Sequence, residues 1–182
     1  MRRRKKRAST VSPIYAFGLF WHADEIDWFP GRGKRHAFRL LGRQGKYSTT
    51  LRMADFRDQL GLYILYGNVG PHYAGLTQRQ TFGKRLKAHM LDQHKGKWDR
   101  FCWFGFRQVL KRRGREGLHR LRERIPERTS IDPKIAIEEM KALLIKAMAL
   151  TNIAETKFAN AQQWEQVKRH EADTLLGRAA KS

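Results

Sequence analysis

The sequence predicts an α+β fold: a small three-stranded antiparallel sheet flanked by helices, with a short basic β-rich appendage at the N-terminal side. Three observations predict it. First, Leu62-Tyr63-Ile64-Leu65-Tyr66 and His72-Tyr73-Ala74-Gly75-Leu76 are apolar and aromatic, and the intervening Gly67-Asn68-Val69-Gly70-Pro71 is dense in turn residues, so the pair reads as a hairpin. Second, the aromatic run Lys97-Trp98-Asp99-Arg100-Phe101-Cys102-Trp103-Phe104-Gly105-Phe106 suits a third, central strand. Third, the segments from Phe82 and from Ile135 repeat apolar side chains at helical spacing.

In chain order, residues 1–12 begin with Met1-Arg2-Arg3-Arg4-Lys5-Lys6-Arg7. This run lacks the apolar stretch of a secretory signal and is expected to be a disordered basic arm able to track phosphates. Residues 13–58 read as the appendage, with strands expected over 14–21 and 36–42. Gly31 and Gly33 bracket a basic loop there, and Arg32, Lys34, Arg35, Arg39 and Arg43 are candidate DNA grips. Asp24, Glu25 and Asp27 serve either as a metal site or as a solvated loop, and their spacing matches no binding loop.

The core is expected over residues 59–165. Thr77 suits a cap for the turn after the hairpin. The following helix carries Phe82, Leu86 and Met90 as its apolar stripe, with Lys84, Arg85, Lys87 and His89 mostly outside it. Residues 107–128 are strongly basic, and Leu118, Leu121 and Ile125 give them a partial helical stripe. They read as a DNA-gripping insertion or as a solvated helix. A strong helix spans 135–150, with Pro133 near its start and Asp132 as N-cap. Helical content is expected around 161–167, with Trp164 anchoring it, and 166–182 is a C-terminal tail.

Arg85 and His89 are four residues apart and share a helix face. Packing the hairpin on that helix brings Tyr63, Tyr73, Arg85 and His89 together. Taken singly, each has a plain reading as packing or surface. Jointly, two Tyr–Gly tripeptides, a short turn, then an arginine with a polar residue four later are hard to obtain by accident.

Gly61-Leu62-Tyr63, Tyr73-Ala74-Gly75, Arg85 and His89 resemble the GIY-YIG nuclease family, departing from its name at Leu62 and Ala74, where isoleucine is usual. The resemblance implies a metal-dependent endonuclease, of a stand-alone bacterial or phage type, that hydrolyses DNA and leaves a 5′-phosphate and a 3′-hydroxyl. It implies Tyr63 as general base, Arg85 as stabiliser of the transition-state charge, and Tyr73 and His89 as groups that orient water or phosphate. It also implies a glutamate on a later helix holding Mg²⁺ or Mn²⁺, and an asparagine beyond it. Glu139, followed by Ala142 and Leu143 at three and four positions on, fits that glutamate. Glu138, followed by Lys141 and Ala142, fits less well and is the alternative; both carboxylates also suit the helix N-terminal dipole. Asn152, Gly61 and Gly75 are the structural candidates. Lys84, Lys87, Arg112, Arg113 and Arg115 are the expected DNA contacts. His94 is a further proton-handling group or a loop histidine.

Composition agrees with a nucleic-acid partner, double-stranded DNA by the resemblance. There are 38 Lys+Arg against 17 Asp+Glu, a formal net charge of +21 and a sequence pI near 10.8. No run approaches a membrane span. The single cysteine, Cys102, excludes an intrachain disulfide and a cysteine-rich zinc site, and a reducing, cytoplasmic home is expected. One site per chain can nick; a duplex break needs a homodimer or two nicks. The alternative reading is a DNA- or RNA-binding protein that keeps the fold without turnover.

Overall fold

The computed structural model describes residues 12–31, 37–45, 47, 49–114, 116–124, 132–152 and 156–181. In chain order the elements are β1 (Ala16–His22), β2 (Leu41–Gln44), β3 (Arg52–Asp55), β4 (Gly61–Gly67), β5 (Gly70–Thr77), α1 (Phe82–His89), β6 (Arg100–Gly105), β7 (Val109–Arg113), β8 (His119–Leu121), α2 (Pro133–Ala147), β9 (Gln162–Gln163), β10 (Glu165–Gln166) and α3 (Ala172–Lys181). A 3-10 turn, Arg169–Glu171, leads into α3. The basic arm, except Ser12, and Arg32, Lys34, Arg35, Arg115 and Ile125 lie outside the described residues.

The small three-stranded sheet flanked by helices is corrected by this architecture. Among the described residues, ten strands form two five-stranded mixed sheets, ordered β5-β4-β6-β1-β9 and β10-β2-β3-β8-β7. The expected β4–β5 hairpin and the adjoining β6 form part of the first sheet, with Tyr63 opposite Gly75 on one side and Trp103 on the other. The sheet then continues: β1 pairs antiparallel with β6, and β9 adds in parallel to β1. Residues 13–58 therefore supply an interior strand rather than an appendage.

Two further segments differ from the sequence reading. The basic stretch after β6 is a strand pair, β7 and β8, with Gly114 and Gly117 in its turn region. Lys111, Arg112 and Arg113 sit on β7, the edge of the second sheet, where cationic side chains discourage further strand pairing. Residues 161–167 are extended, not helical: Trp164, buried at the junction of β9 and β10, passes the chain from one sheet to the other. Trp164 N–H donates to the Phe17 carbonyl at 2.8 Å, and Trp21 Nε1–H donates to the Trp164 carbonyl at 3.2 Å.

Strand alternation separates the two faces of the first sheet. Tyr63, Leu65, Phe101 and Trp103 face a core shared with α1 (Phe82, Leu86), Trp164 and the second sheet (Ala54, Phe56). Tyr66, Cys102 and Phe104 face the other way, onto Ala142 and Ala147 of α2, with Leu62 and Ile64 packed at that cluster's edge. The outer side of the second sheet, Leu41 and Met53, is covered by Leu175 and Ala179 of α3. The layers thus run α2, first sheet, then α1 beside the second sheet, then α3. Among the described residues no helix is long and apolar enough to cross a membrane.

Candidate active site

Two glycines let the hairpin hold a tyrosine flat beneath it. Gly61 has φ of +148°, and a Cβ there would stand 2.0 Å from the Phe104 carbonyl oxygen. A Cβ on Gly75 would stand 2.2 Å from Tyr63 Oη. The Tyr63 ring therefore lies across the space that Gly75 leaves open, and each glycine of the two tripeptides is tied to a close approach. Thr77 does not cap the next helix; its hydroxyl accepts from Gly61 N–H at 2.9 Å and clamps the mouth of the hairpin.

α1 begins where the chain returns to the segment before β4. Phe82 N–H donates to the Gln59 carbonyl at 2.9 Å, and Gly83 N–H donates to the Arg57 carbonyl at 2.8 Å. These bonds satisfy donors that a helix start leaves open. They also fix the helix so that its last turn faces Tyr63.

There, Tyr63 Oη lies 2.8 Å from His89 Nε2, and His89 Nδ1 lies 2.8 Å from Asp92 Oδ2. Tyr63 and His89 are both 0% exposed, so every polar atom needs a partner inside the protein. With a neutral ring, His89 Nδ1–H donates to the carboxylate and Nε2 accepts the Tyr63 hydroxyl proton. Burial favours that neutral ring and pushes the His89 pKa below its ordinary value against the pull of Asp92; Arg85 and His94 add to the depression. Burial likewise pushes Tyr63 up to about 12, although Arg85 pulls the other way.

The Arg85 guanidinium lies close enough to both hydroxyls that they, Tyr73 first and then Tyr63, hold its pKa above the ordinary value. Tyr73 is half-buried, with its ring centroid 5.2 Å from that of His89 and 4.5 Å from that of His94. The loop after α1 closes the site. Asp92 Oδ1 accepts from His94 N–H at 2.8 Å, and His94 Nδ1 lies 3.0 Å from His72 Nε2 on β5. Burial works to raise Asp92, but the His94 N–H and the His89 ring outweigh it and hold the carboxyl below its ordinary value. Ligand atoms of His89, Asp92 and His94 all lie within 4.8 Å of one another, a spacing that can hold a metal ion.

Tyr63, Tyr73, Arg85 and His89 are thus brought together. Glu139 is not with them. It is buried on α2, across the sheet, where Oε1 accepts from Ala159 N–H at 2.9 Å and Oε2 has no hydrogen-bond partner. Its place on the face of Phe104 and Phe158 does not fit a metal ligand for the tyrosine site. Glu138 is exposed. α2 ends at Ala147, with Ala149 at φ of +50°, so Asn152 lies beyond the helix, its carbonyl accepting from the Thr156 hydroxyl at 3.2 Å.

Among the expected DNA contacts, Lys84 is exposed beside Arg85, whereas Lys87 Nζ stands over the rings of Phe29 (4.7 Å) and Phe38 (5.1 Å). Arg112 and Arg113 line a cavity of about 970 Å³ together with Arg57, Arg107 and Arg120. Asp55, Asp58, Glu116 and Glu123 line it too, so its charge is mixed. Arg39 and Arg43 are engaged by Glu116 (2.9 Å) and Glu165 (3.0 Å). The acidic patch before residue 30 is tied to Arg169: Glu25 accepts its N–H at 2.8 Å, and Asp27 stands 3.6 Å from its guanidinium.

Asp92 and His72 were not legible as site residues from the Tyr and Arg pattern. The available signal was the spacing His89-x-x-Asp92-x-His94 at a helix end. No family model, curated protein or solved structure matches the chain.

Proposed function

We propose that the chain is an endonuclease that hydrolyses phosphodiester bonds of DNA at the Tyr63–Tyr73–Arg85–His89 cluster, with the GIY-YIG resemblance as its nearest chemical analogy. One observation carries the reading: a buried tyrosine hydroxyl is backed by a histidine that a carboxylate orients, with an arginine and a second tyrosine beside them. This is the logic of an activated hydroxyl, in which a base takes the proton and a third group fixes the base.

The chemistry follows from the groups present. Arg85 attracts a phosphodiester and stabilises the charge that builds on its oxygens. Tyr63, buried and held protonated, is a poor base by itself. It takes a proton from an attacking water as it passes its own to His89 Nε2, and Asp92 stabilises the ring that becomes cationic. Tyr73, at the rim, orients the water or the phosphate. Exposed Lys84 and the overall charge of +21 supply attraction to the backbone. By the resemblance the reaction uses Mg²⁺ or Mn²⁺, and Glu139 is not assigned to hold it. A cytoplasmic setting suits the lone buried Cys102, whose thiol burial pushes up to about 11. A duplex break would need two chains or two nicks.

A second reading, a nucleic-acid-binding protein without turnover, is favoured by one observation: Tyr63 is fully buried. Supercoiled plasmid separates the two. Wild type with Mg²⁺ or Mn²⁺ is expected to nick it, EDTA to stop it, and Arg85→Ala to slow it by roughly 10²–10³-fold. DNA binding, followed in parallel, should persist in the variant. Binding without nicking under every metal tested would leave the binding-protein reading standing.

A further inference from the structure

We infer that His89, Asp92 and His94 form a binding site for a divalent transition-metal ion, Zn²⁺ or Mn²⁺, on the rim of the tyrosine pair. Its catalytic role rests on the hydrolase reading; its existence does not.

The donor set argues for it first. Two imidazoles and one carboxylate suit zinc, manganese or ferrous iron, whereas magnesium prefers an all-oxygen shell that keeps its waters. Three protein ligands also leave positions open for water or a phosphate oxygen, the arrangement of a catalytic rather than a structural site.

Distances argue next. Adjacent ligands on a six-coordinate ion with bonds of about 2.1 Å stand roughly 3.0 Å apart. His89 Nδ1 and Asp92 Oδ2 are already 2.8 Å apart. All three ligand atoms lie within 4.8 Å of one another, so side-chain rotation at the exposed Asp92 and the partly exposed His94 would bring them to one centre.

The outer shell is built as well. A ligating histidine is normally oriented by a bond at its other ring nitrogen. His89 has that bond from Nε2 to Tyr63 Oη, and His94 has it from Nδ1 to His72 Nε2 at 3.0 Å. This leaves Nε2 of His94 to ligate, displacing a long 3.5 Å contact to the Gln93 amide. Asp92 is pinned by the His94 N–H through its second oxygen.

Occupancy would change what Tyr63 meets. An ion at His89 Nδ1 would leave the ring proton on Nε2, which would then donate to Tyr63 Oη instead of accepting from it. The phenol hydrogen must turn away from His89. The relay in which His89 takes the Tyr63 proton then belongs to the ion-free site; with the ion held, the outward-turned Tyr63 hydroxyl would donate toward a water or phosphate oxygen, and a water on the ion would supply the nucleophile. The glutamate implied by the resemblance lies on the other face of the sheet, whereas this cluster stands on the α1 face against Tyr63 and Tyr73.

Calorimetric titration of the full chain with Zn²⁺, Mn²⁺ and Mg²⁺ tests the site, with Co²⁺ absorption reporting the donor set. Zn²⁺ or Mn²⁺ should bind one ion per chain, at least tenfold tighter than Mg²⁺. His94→Ala, a change at a partly exposed ring that the fold should tolerate, and the near-isosteric Asp92→Asn should each weaken binding at least tenfold and lose the cobalt bands. Asp99→Asn, an exposed carboxylate outside the cluster, should bind as wild type does. Wild type that binds neither Zn²⁺ nor Mn²⁺, or variants that bind as wild type, would overturn the site. Binding at the cluster without plasmid cleavage under any metal keeps the site and sinks the hydrolase reading. Cleavage in Mg²⁺ that is unchanged in His94→Ala, with no Zn²⁺ or Mn²⁺ bound, sinks the site and leaves the hydrolase reading intact.

Discussion

α1 and α2 pack against the same sheet from opposite sides, and the two faces bury different kinds of surface. Under α1, Tyr63, His89 and Asp92 form a chain of hydrogen bonds at 2.8 Å, and the charge of Arg85 acts on the same hydroxyl. Under α2 the contacts are Phe17, Phe104, Phe158 and Tyr66, with Glu139 left holding one unpartnered oxygen. The difference comes from how each helix ends. α1 stops after eight residues, and the loop beyond it folds Asp92 and His94 back onto the hairpin. α2 runs for fifteen residues and delivers mostly alanine and aliphatic side chains. Titratable groups therefore gather at a helix end, and the long helix supports the sheet.

The hairpin glycines offer the strongest way to break this comparison, because one of them affects both faces and the other affects one. Gly61→Ala would set a Cβ 2.0 Å from a backbone carbonyl at a φ of +148°. Neither conflict can relax cheaply, so the fold should lose roughly 3 kcal/mol or more in urea denaturation. Gly75→Ala meets a side chain, the Tyr63 ring, which can shift. It should cost roughly 1–3 kcal/mol, as overpacking does, and should suppress cleavage by displacing Tyr63. A smaller loss in Gly61→Ala than in Gly75→Ala would contradict the close approach to Phe104.

Two tyrosines three residues apart test the faces directly. Tyr63→Phe strips His89 Nε2 of its partner in a fully buried site, at a cost of roughly 1–3 kcal/mol, and should abolish nicking. Tyr66→Phe removes the bond that Tyr66 Oη donates to the Ala147 carbonyl on the α2 side. It should cost about 1 kcal/mol and leave nicking as in wild type. Nicking lost in both variants would mean that the site is not confined to the α1 face.

The sequence made this face legible and the other misleading for physical reasons. Tyr63, Tyr73, Arg85 and His89 lie on elements with strong local signals: a seven-residue strand, an eight-residue strand and a helix at 3.6 spacing. Glu139 also lies on a clear helix, but which face of a sheet a helix covers depends on chain crossings that no local period records. The second sheet leaves little trace in the sequence because its strands are two to five residues long, too short for alternation to show. Its edge strand, Val109–Arg113, carries three cations in a row that hide its period. Trp164 anchors its segment at 1% exposure, but the segment is extended because it bridges two sheets.

Acidity should weaken the fold from both the site and the groove beside β7. His89 and His119 both have pKa values that burial pushes below the ordinary 6.5. His119 is held by the Leu110 carbonyl at 2.8 Å, with Arg52 and Arg113 adding to its depression, and its Nε2 has no partner. His89 is faced by Asp92, which opposes its depression, and by Arg85, His94, Tyr63 and Tyr73. Each ring is neutral in the fold and gains a proton more easily when unfolded. Stability present above 6.5 is therefore lost as pH falls through and below that value. Denaturation midpoints should drop between neutral and mildly acidic buffer, and His119→Gln should flatten part of that slope without changing nicking at neutral pH. A slope unchanged by His119→Gln would exclude His119 as a source of the effect.

Glu139→Gln should have the smallest effect of all, and it bears most directly on the comparison. Gln keeps an oxygen for the Ala159 N–H and removes a buried charge whose second oxygen has no partner. A neutral group of the same shape costs little there, so stability should change by no more than about 1 kcal/mol. Nicking and its metal dependence should stay within about twofold of wild type, a change in barrier of under 1 kcal/mol. Loss of nicking with the fold intact, seen as an unchanged melting curve, would mean that the α2 face communicates with the tyrosine face through the sheet. The division of labour between the two helices would then be wrong. Retained nicking would locate the metal requirement on the side of α1, where His89, Asp92 and His94 already stand within reach of one another.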